Sequence, residues 1–416
     1  MAAPTVRDNW QTCYYQISAS VTINGTTTVL KEQQIVNLLI EKDYDNDHLP
    51  IMIIGLSLSN DIDRDITSES TIQLRIDKVI GQNENGIMQV YSKSSFINDI
   101  FSFIVLEDTP SSSYFENLIY KKIERTEGDY LLQDASSVQT FILVKKECLN
   151  ASKSIFNAVL KKATMTEATT LLLSQAGCTN VLMSNLDNTD EYKELIIPPL
   201  PLLENITYLK NYYGFHEEDT VVFMDFDTTY IVRKNGSCSA FKPRENTNVD
   251  LCLNASESPY NECKGVIYSG NTTYVNIASD AFVRNLGGSI TDQTEGTNML
   301  VFNENQKSSN TVSPANIQAI GDRSTNIKLT TGHNEFVNTQ IEYRKYENQY
   351  VFTIGCTNAD ISLFTPNKQF SIISNSAEIA IDVTGNYRLS RHVTTFVKEG
   401  HYFIPITNMT LKKTKA

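Results

Sequence analysis

The residues best placed to do chemistry stand in Val221-Val-Phe-Met-Asp225-Phe-Asp227-Thr-Thr229. A carboxylate at the end of an apolar strand can attack phosphorus, a second one two residues on can handle the leaving-group proton, and magnesium can offset the charge. Ser269, after Val266-Ile-Tyr268, and Gly321-Asp322, after Ala319-Ile320, could supply later parts of such a site. The surrounding pattern opposes it. That chemistry needs a helix after the second Asp and a parallel sheet covered by helices. Here Thr229 to Arg233 reads as a further strand running into the turn signal Asn235-Gly236, no amphipathic helices separate the downstream strands, and Gly321-Asp322 lacks a nearby second carboxylate.

Other constellations are weaker. Asp43-Tyr-Asp45-Asn-Asp47 has the alternating carboxylates that open a calcium loop, but His48 stands where the sharp turn needs Gly and Ile54 where a bidentate Glu is needed. Asp61-Ile-Asp63-Arg-Asp65 fails in the same way at Ile66 and Ile72, so both read as solvated turns before strands. The five histidines, at 48, 216, 333, 392 and 401, form no HxxxH or HExxH pair, which leaves a zinc hydrolase without support. No GxSxG, phosphate-binding glycine loop or strand–GxGxxG–helix unit occurs. No catalytic, cofactor-binding or metal-binding residue is assigned, no cofactor is expected, and a structural or interaction protein is favoured over an enzyme.

Composition narrows the class further. With 35 Lys+Arg against 48 Asp+Glu, the formal charge of the 416-residue chain is −13, which argues against a general nucleic-acid binder but not against a protein past which nucleic acid slides. Seven cysteines, at 13, 148, 178, 238, 252, 263 and 356, form no CxxC pair and read as reduced thiols, although Cys252 and Cys263 could close a loop. Met1 to Trp10 has no apolar core of signal-peptide length, and no stretch approaches the roughly 18 apolar residues of a membrane helix, so neither secretion nor membrane insertion is expected. Asn-x-Ser/Thr occurs at Asn24, Asn150, Asn205, Asn235, Asn254, Asn271 and Asn408, but about six such triplets arise by chance in this composition.

The elements that would position these residues are mostly strands. Cys13 to Thr22 alternates and ends at the hairpin signal Asn24-Gly25; Gln34 to Ile40, Pro50 to Leu58, Thr71 to Ile80, Ile87 to Tyr91 and Phe101 to Leu106 complete a set that predicts a small barrel or sandwich. The period then changes. Ser154 to Lys162 places Ile155, Phe156, Val159 and Leu160 on one helical stripe. Thr164-Met-Thr-Glu167 has capping-box spacing for a helix that stops at Gly177. Pro198-Pro-Leu-Pro201 predicts a stiff spacer, and a helix over about Glu204 to Tyr213 ends at Gly214. Thr220–Asp225 and Thr229–Arg233 return to strands, 234–265 reads as a long polar loop, and further strands are expected at Gly265–Tyr268, Thr273–Ile277, Asn298–Phe302, Gln340–Arg344, Tyr350–Ile354, Phe370–Ile373, Glu378–Val383 and Tyr402–Ile406. Residues 303–324 read as a mobile loop and Leu411 to Ala416 as a small basic tail. The fold class is α+β, predominantly β.

Two resemblances carry more than these patterns. The Asp225–Thr229 stretch resembles the nucleophile motif of haloacid-dehalogenase-type phosphatases, which remains the enzymatic alternative. Ile35-Val-Asn-Leu-Leu-Ile-Glu-Lys-Asp-Tyr-Asp45 with Leu49-Pro-Ile-Met-Ile-Ile-Gly-Leu-Ser-Leu58 is similar to the entry to the first barrel of bacteriophage baseplate hub proteins. Tyr208-Leu-Lys-Asn-Tyr-Tyr-Gly-Phe215, Val221 to Asp227 and Tyr230-Ile-Val232 resemble the helix–glycine–strand–hairpin of the same proteins. That likeness implies tail-tube-like β-barrels with an inserted α+β domain: a first barrel over 1–110, the insertion over 111–203, a strand-rich middle region over 204–330 and a second barrel region over 331–416. It also implies a homotrimer forming a pseudo-sixfold ring in the virion, assembled in the host cytoplasm, with the tail tube protein above and a spike, fibre or lytic tip protein below. DNA would pass through the lumen without specific binding. A receptor-binding or decorating β protein of a virion is the third reading.

Overall fold

A computed structural model describes residues 11–45, 49–58, 66–67, 69–84, 87–104, 139–217, 219–226, 228–234, 248–254, 266–269, 272–278, 282–285, 351–374 and 385–414. The expected elements at Asn298–Phe302, Gln340–Arg344 and Glu378–Val383, and the loop at 303–324, lie outside these residues. In chain order the first strands are β1 (Thr12–Ile23), β2 (Thr26–Val29), β3 (Ile35–Asp43), β4 (Ile51–Leu56), β5 (Thr71–Glu84), β6 (Ile87–Ile104) and β7 (Gln139–Lys145). A mixed segment follows: α1 (Lys146–Lys153), β8 (Ile155–Ala163), α2 (Met165–Gln175), β9 (Val181–Met183), β10 (Tyr192–Pro201), α3 (Leu202–Tyr212), β11 (Thr220–Met224) and β12 (Thr229–Arg233). The chain then runs through β13 (Asn248–Asn254), β14 (Val266–Ser269), β15 (Thr272–Ala278), β16 (Phe282–Asn285), β17 (Val351–Thr357), β18 (Gln369–Ser374), β19 (Gly385–Glu399) and β20 (Tyr402–Lys413).

Eight of these strands close on themselves in the order β1, β5, β6, β7, β4, β3, β19, β20 and back to β1, every pair antiparallel. The open choice between barrel and sandwich is therefore settled as a barrel. Its hairpin β1–β2 turns at Asn24 (φ 48°) and Gly25 (φ 78°), the doubly left-handed turn that suits the strand twist. Beyond the ring the sheet continues outward on both sides of β19 and β20. One wing runs β18, β13, β15, β14 and the other β17, β16, so β19 and β20 belong to the barrel and to a second sheet unit at once.

The ring closes at a narrow seam. Between β1 and β20 the paired residues are Tyr15 and Phe403, and a clasp residue beside them completes the join. Asn358 donates its amide to Pro405 O (2.9 Å) and accepts the Cys13 amide at its carbonyl (3.0 Å). It does so at φ 58°, a conformation that Asn tolerates better than most residues. The Tyr15 hydroxyl, inside the barrel, accepts the Ile361 amide (3.0 Å) just beyond.

Packing divides into two cores. The barrel interior and the second sheet share one continuous core through Tyr15, Leu38, Ile54, Phe101, Phe352, Phe396 and Leu411. A second core lies outside the barrel, where Leu39, Ile51, Ile53, Val144 and Val393 on the outer face of β3, β4, β7 and β19 meet α2, α3, β8 and β10. The capping box is present as expected: Thr164 Oγ1 accepts the Glu167 amide and Glu167 Oε2 accepts the Thr164 amide (2.8 Å), and the chain leaves α2 through Gly177 at φ 78°.

Several expected elements differ. Residues 154–162 are not helical: Ile155–Ala163 is β8, paired antiparallel with β10, with Phe156, Ala158 and Leu160 turned toward the second core and Ile155 and Val159 exposed. Its β-branched residues and alternating burial suit a strand, and the apparent helical stripe was a coincidence of spacing. The Pro198–Pro201 spacer is part of β10, tolerated because β10 is an edge strand with a bulge between Ile197 and Leu200. The 234–265 stretch contains β13, which runs parallel to β15 and β18, and Leu411 to Lys413 complete β20 rather than a free tail.

The clasp generates a stability test. Asn358→Val, which forces a β-branched residue into the left-handed region, should cost about 1–2 kcal/mol in urea unfolding, and Asn358→Gly should cost less. Equal losses for the two variants would show that backbone conformation is not what Asn358 supplies.

Candidate functional site

The stretch singled out for chemistry forms the tip of the β11–β12 hairpin. The two strands pair antiparallel, Val221 with Val232 and Phe223 with Tyr230, and the chain leaves as a strand with no helix following. Alternation places Val221, Phe223, Tyr230 and Val232 on the barrel side and Val222, Met224 and Ile231 in the second core. The hairpin is thus a wall with a core on each face.

Its tip is pinned to the barrel. Asp225 Oδ2 lies 2.5 Å from Lys42 Nζ of β3, both side chains almost wholly buried, and Asp225 Oδ1 accepts the Phe226 amide (2.7 Å). The Lys42 ammonium also sits 5.1 Å from the centre of the Phe226 ring, which stacks edge-on against Phe101. Lys145 donates to the Phe226 carbonyl and pairs with Asp99 (2.5 Å). A cavity of about 330 Å³ remains beside the tip, lined by Lys42, Asp225, Phe226, Tyr230, Ser362 and the Ser94–Asp99 stretch of β6.

This geometry does not suit phosphoryl transfer. Both Asp225 oxygens are engaged by the fold, one by the Lys42 ammonium and one by the Phe226 amide, which a free attacking carboxylate would not be. Asp227 lies outside the described residues, as does Gly321-Asp322. Ser269 ends β14 at an outer edge of the large sheet, whereas Asp225 follows β11 of the separate three-stranded sheet of β11, β12 and β9. Among the described residues no group of three or more His, Cys, Asp or Glu side chains could hold a metal ion.

Within the calcium-like stretch Asp43, Tyr44 and the Asp45 side chain prove buried rather than solvated. Asp45 accepts two bonds from Arg388 (2.7 and 3.0 Å) and one from Ser390 (2.5 Å), with Lys412 Nζ at 2.7 Å and Lys234 Nζ at 3.7 Å. Lys234 continues to Asp219 (2.6 Å), which also faces Lys210 of α3 (3.3 Å). Burial alone would raise the Asp45 pKa, but Arg388, Lys234 and Lys412 override it and hold the carboxyl well below the usual range. Asp43 Oδ1 accepts the Asp45 amide (3.1 Å); Asp47 and the Asp61–Asp65 stretch lie outside the described residues. The ionic chain therefore ties the end of β3, the far ends of β19 and β20, the foot of the hairpin and α3 into one knot.

Two buried histidines flank the hairpin. His216 meets Ser184 Oγ through Nε2 (2.9 Å) and faces Asp187, which also takes Arg233. Burial lowers its pKa to about 4 despite Asp187, with Arg233 adding to the decrease. His392 packs against Tyr44 and Phe364 inside the barrel, and burial, Lys42 and Arg391 push its pKa well below the ordinary value. Of the cysteines, Cys13, Cys148, Cys178, Cys252 and Cys356 are free thiols, and burial pushes Cys148 and Cys356 up to about 12, far from reactive thiolates. The loop that Cys252 and Cys263 could close lies outside the described residues, because Cys263 does. No described helix is long and apolar enough to cross a membrane.

Sequence reasoning found Asp225 but missed Lys42, Asp45, Arg388 and Lys412 as a set, because their partners lie more than a hundred residues away and no local spacing marks them.

Two measurements follow. Asp225→Ala strands a buried ammonium and should destabilise by about 3–5 kcal/mol, whereas Lys42→Met combined with Asp225→Leu should recover most of that in urea unfolding. A loss below about 1 kcal/mol for Asp225→Ala would show that the tip does not depend on the pair. In the unfolded chain His216 regains a pKa near 6.5, so between that value and about 4 only the unfolded state takes up its proton. Its contribution is complete above 6.5 and is lost as pH falls through the window, by about 3 kcal/mol, and His216→Gln should flatten that part of the stability–pH curve.

The sequence model of one protein family, described as "Bacteriophage PBS1 gene 109 protein", matches residues 6–414. No curated protein sequence matches the chain. Solved structures similar to it include a tail protein from Neisseria meningitidis MC58 (10% identity, 96% of this chain and 97% of that one, TM-score 0.47). The 43 kDa tail protein of prophage MuSo2 from Shewanella oneidensis is similar too (10% identity, 94% and 96%, TM-score 0.44). A third is the prophage tail protein gp18 from Listeria monocytogenes (8% identity, 96% and 95%, TM-score 0.37).

Proposed function

The chain belongs to the bacteriophage PBS1 gene 109 protein family, and on that premise we propose that it is a structural tail protein, the hub of the baseplate. Three copies form a pseudo-sixfold ring that joins the tail tube above to a central spike, fibre or lytic tip protein below. DNA passes through the middle without specific binding, the chain does not insert into a membrane, and it works in the virion after assembly in the host cytoplasm. It acts by geometry, not by catalysis.

The observation that carries this reading is the double membership of β19 and β20. One closed barrel and a second sheet unit grow from the same pair of strands; read as two tube-like units per chain, three chains would offer six. In this reading the first tube-like unit is built on 1–110, the insertion on 111–203, which also lends β7 to that barrel, and the hairpin and strands of 204–330 join it to a second unit on 331–416. The last segment lends β19 and β20 to both units.

The filled barrel supports the same arrangement. Tyr15, Phe101, Phe103 and Phe396 are wholly buried inside it, as expected of an eight-stranded barrel, so among the described residues this barrel is filled. A passage for duplex DNA would have to lie between chains, which requires several of them around an axis.

Sedimentation of the purified protein should give a trimer, and electron microscopy should show an axial opening wide enough for duplex DNA. A stable monomer would overturn the proposal. A compact trimer with a closed centre would overturn it in favour of a receptor-binding or decorating protein.

A further inference from the structure

A strand that ends a sheet is a template for another chain, and proteins guard such edges with prolines, charges or covering elements. β10 is guarded by Pro198, Pro199 and Pro201, which have no amide to offer. Two other edges are less protected. β8 contains neither proline nor glycine, and among the described residues it pairs with β10 alone. β2 reads Thr-Thr-Thr-Val, pairs with β1 alone among the described residues, and has all four residues exposed. Four β-branched side chains favour a strand, and alternate residues of such a strand turn amide and carbonyl toward its open side.

The apolar side chains of the two edges match. Val29 of β2 and Ile155 of β8 are the most exposed large apolar side chains among the described residues, at 77% and 70%. Val159 lies on the same face of β8 as Ile155, and Ile196 stands directly across from it on β10; both are more than half exposed. One step along the ladder Lys161 faces Glu194, both exposed, so an apolar centre is bordered by a polar end, as in protein–protein contacts. The other face of the ribbon is already occupied, with Phe156, Ala158 and Leu160 packed on the second core. Within one chain the two edges do not pair: β2 hangs on β1, whereas β8 lies by the second core over β3, β4, β7 and β19.

We infer that β8 takes up β2 of a neighbouring copy as an added strand, which sets Val29 of that copy against Val159 and its neighbours Ile155 and Ile196. The inference rests on the trimeric reading above and names the contact that reading requires. Charge selects the occupant. β8 ends in Lys161-Lys162 and has no acidic residue from Ile155 to Ala163, so two β8 edges repel each other, whereas β2 carries no charge. Size selects the stoichiometry. An added strand of four residues buries well under the roughly 800 Å² per partner of a standard stable interface, so one such contact does not hold a pair. β2 and β8 are different surfaces, so the contact is heterologous, and in a closed ring every chain makes it twice.

The test is sedimentation velocity on the full chain, with the fold checked by circular dichroism. Val29→Glu and Val159→Lys each place a lone charge in the join and should weaken the trimer at least about tenfold, while the two together oppose each other across it and should regain most of the loss. A second arm combines Val29→Cys with Val159→Cys: mild oxidation should link chains into species up to a trimer, and neither single variant should do so. A trimer unmoved by both charge variants, or weakened by both without recovery in the pair, overturns this inference and leaves the hub reading standing. Loss confined to one charge variant overturns it too, because that edge would then serve an occupant other than its counterpart here, such as a strand of another tail protein. A wild-type monomer or dimer removes both readings. If a charge variant fails to fold, the cysteine pair decides: linked trimers support the contact, and trimers that stay unlinked overturn it.

Discussion

Two hydrophobic cores lean on one hairpin. Phe223 and Tyr230 of β11–β12 face the barrel while Met224 and Ile231, on the same two strands, face the helices of the insertion, and neither core is complete without this ribbon. That constraint explains the polar residues at its tip. A ribbon with apolar side chains on both faces has no solvated face to set its register, and a slip by one residue would exchange the two cores. The Lys42–Asp225 contact fixes the tip at one point of β3, and the Lys234–Asp45 and Lys234–Asp219 contacts fix the foot. Buried ion pairs contribute little net stability against well-packed apolar groups, so their role here is best understood as specifying position.

The same logic runs along β3. Glu41, Lys42 and Asp43 are consecutive, charged and buried in a strand flanked by β4 and β19. Glu41 meets Arg391 of β19 (3.0 Å), Lys42 meets the hairpin, and two residues on Asp45 receives Arg388 and Lys412. Charges on alternate faces of one strand thus index β19 on one side and the β11–β12 hairpin on the other. The cost of burying them is offset only when all partners arrive together, which makes the assembled arrangement sharply distinct from near misses.

What the sequence discloses follows from how many faces of each strand are buried. β1 over Tyr15–Val21 and β5 over Thr71–Ile76 alternate buried with more exposed residues, so Cys13–Thr22 and Thr71–Ile80 are legible as strands. β4 is buried on both faces, and its continuous run Ile51–Leu56 marks a strand without saying which side faces which core. β19 is the instructive failure. Arg388, Ser390 and His392 are buried within it, and a reading that equates polarity with solvent passes over this strand of the barrel wall. β8 fails for the opposite reason: Ile155 and Val159 are exposed, and spacing alone could not distinguish a strand with an apolar outer face from a helix. The candidate site was legible only at its tip, since Asp225 sits in a recognisable local pattern while Lys42, Arg388 and Lys412 are joined to their partners by topology.

The shared pair β19–β20 has a mechanical consequence. The two strands stay paired from Tyr387 with Lys413 to Glu399 with Tyr402, one end serving the second sheet and the other the barrel. A pull that separates the two units along these strands would load the ladder in shear, where many hydrogen bonds must yield together instead of unzipping one by one. The register shift between Leu389 and Arg391 is the single irregularity in that ladder, and it lies near the junction where the Asp45 knot binds both strands. Stiffness is therefore concentrated along one axis of the chain, and compliance is left to the wings that hang from it.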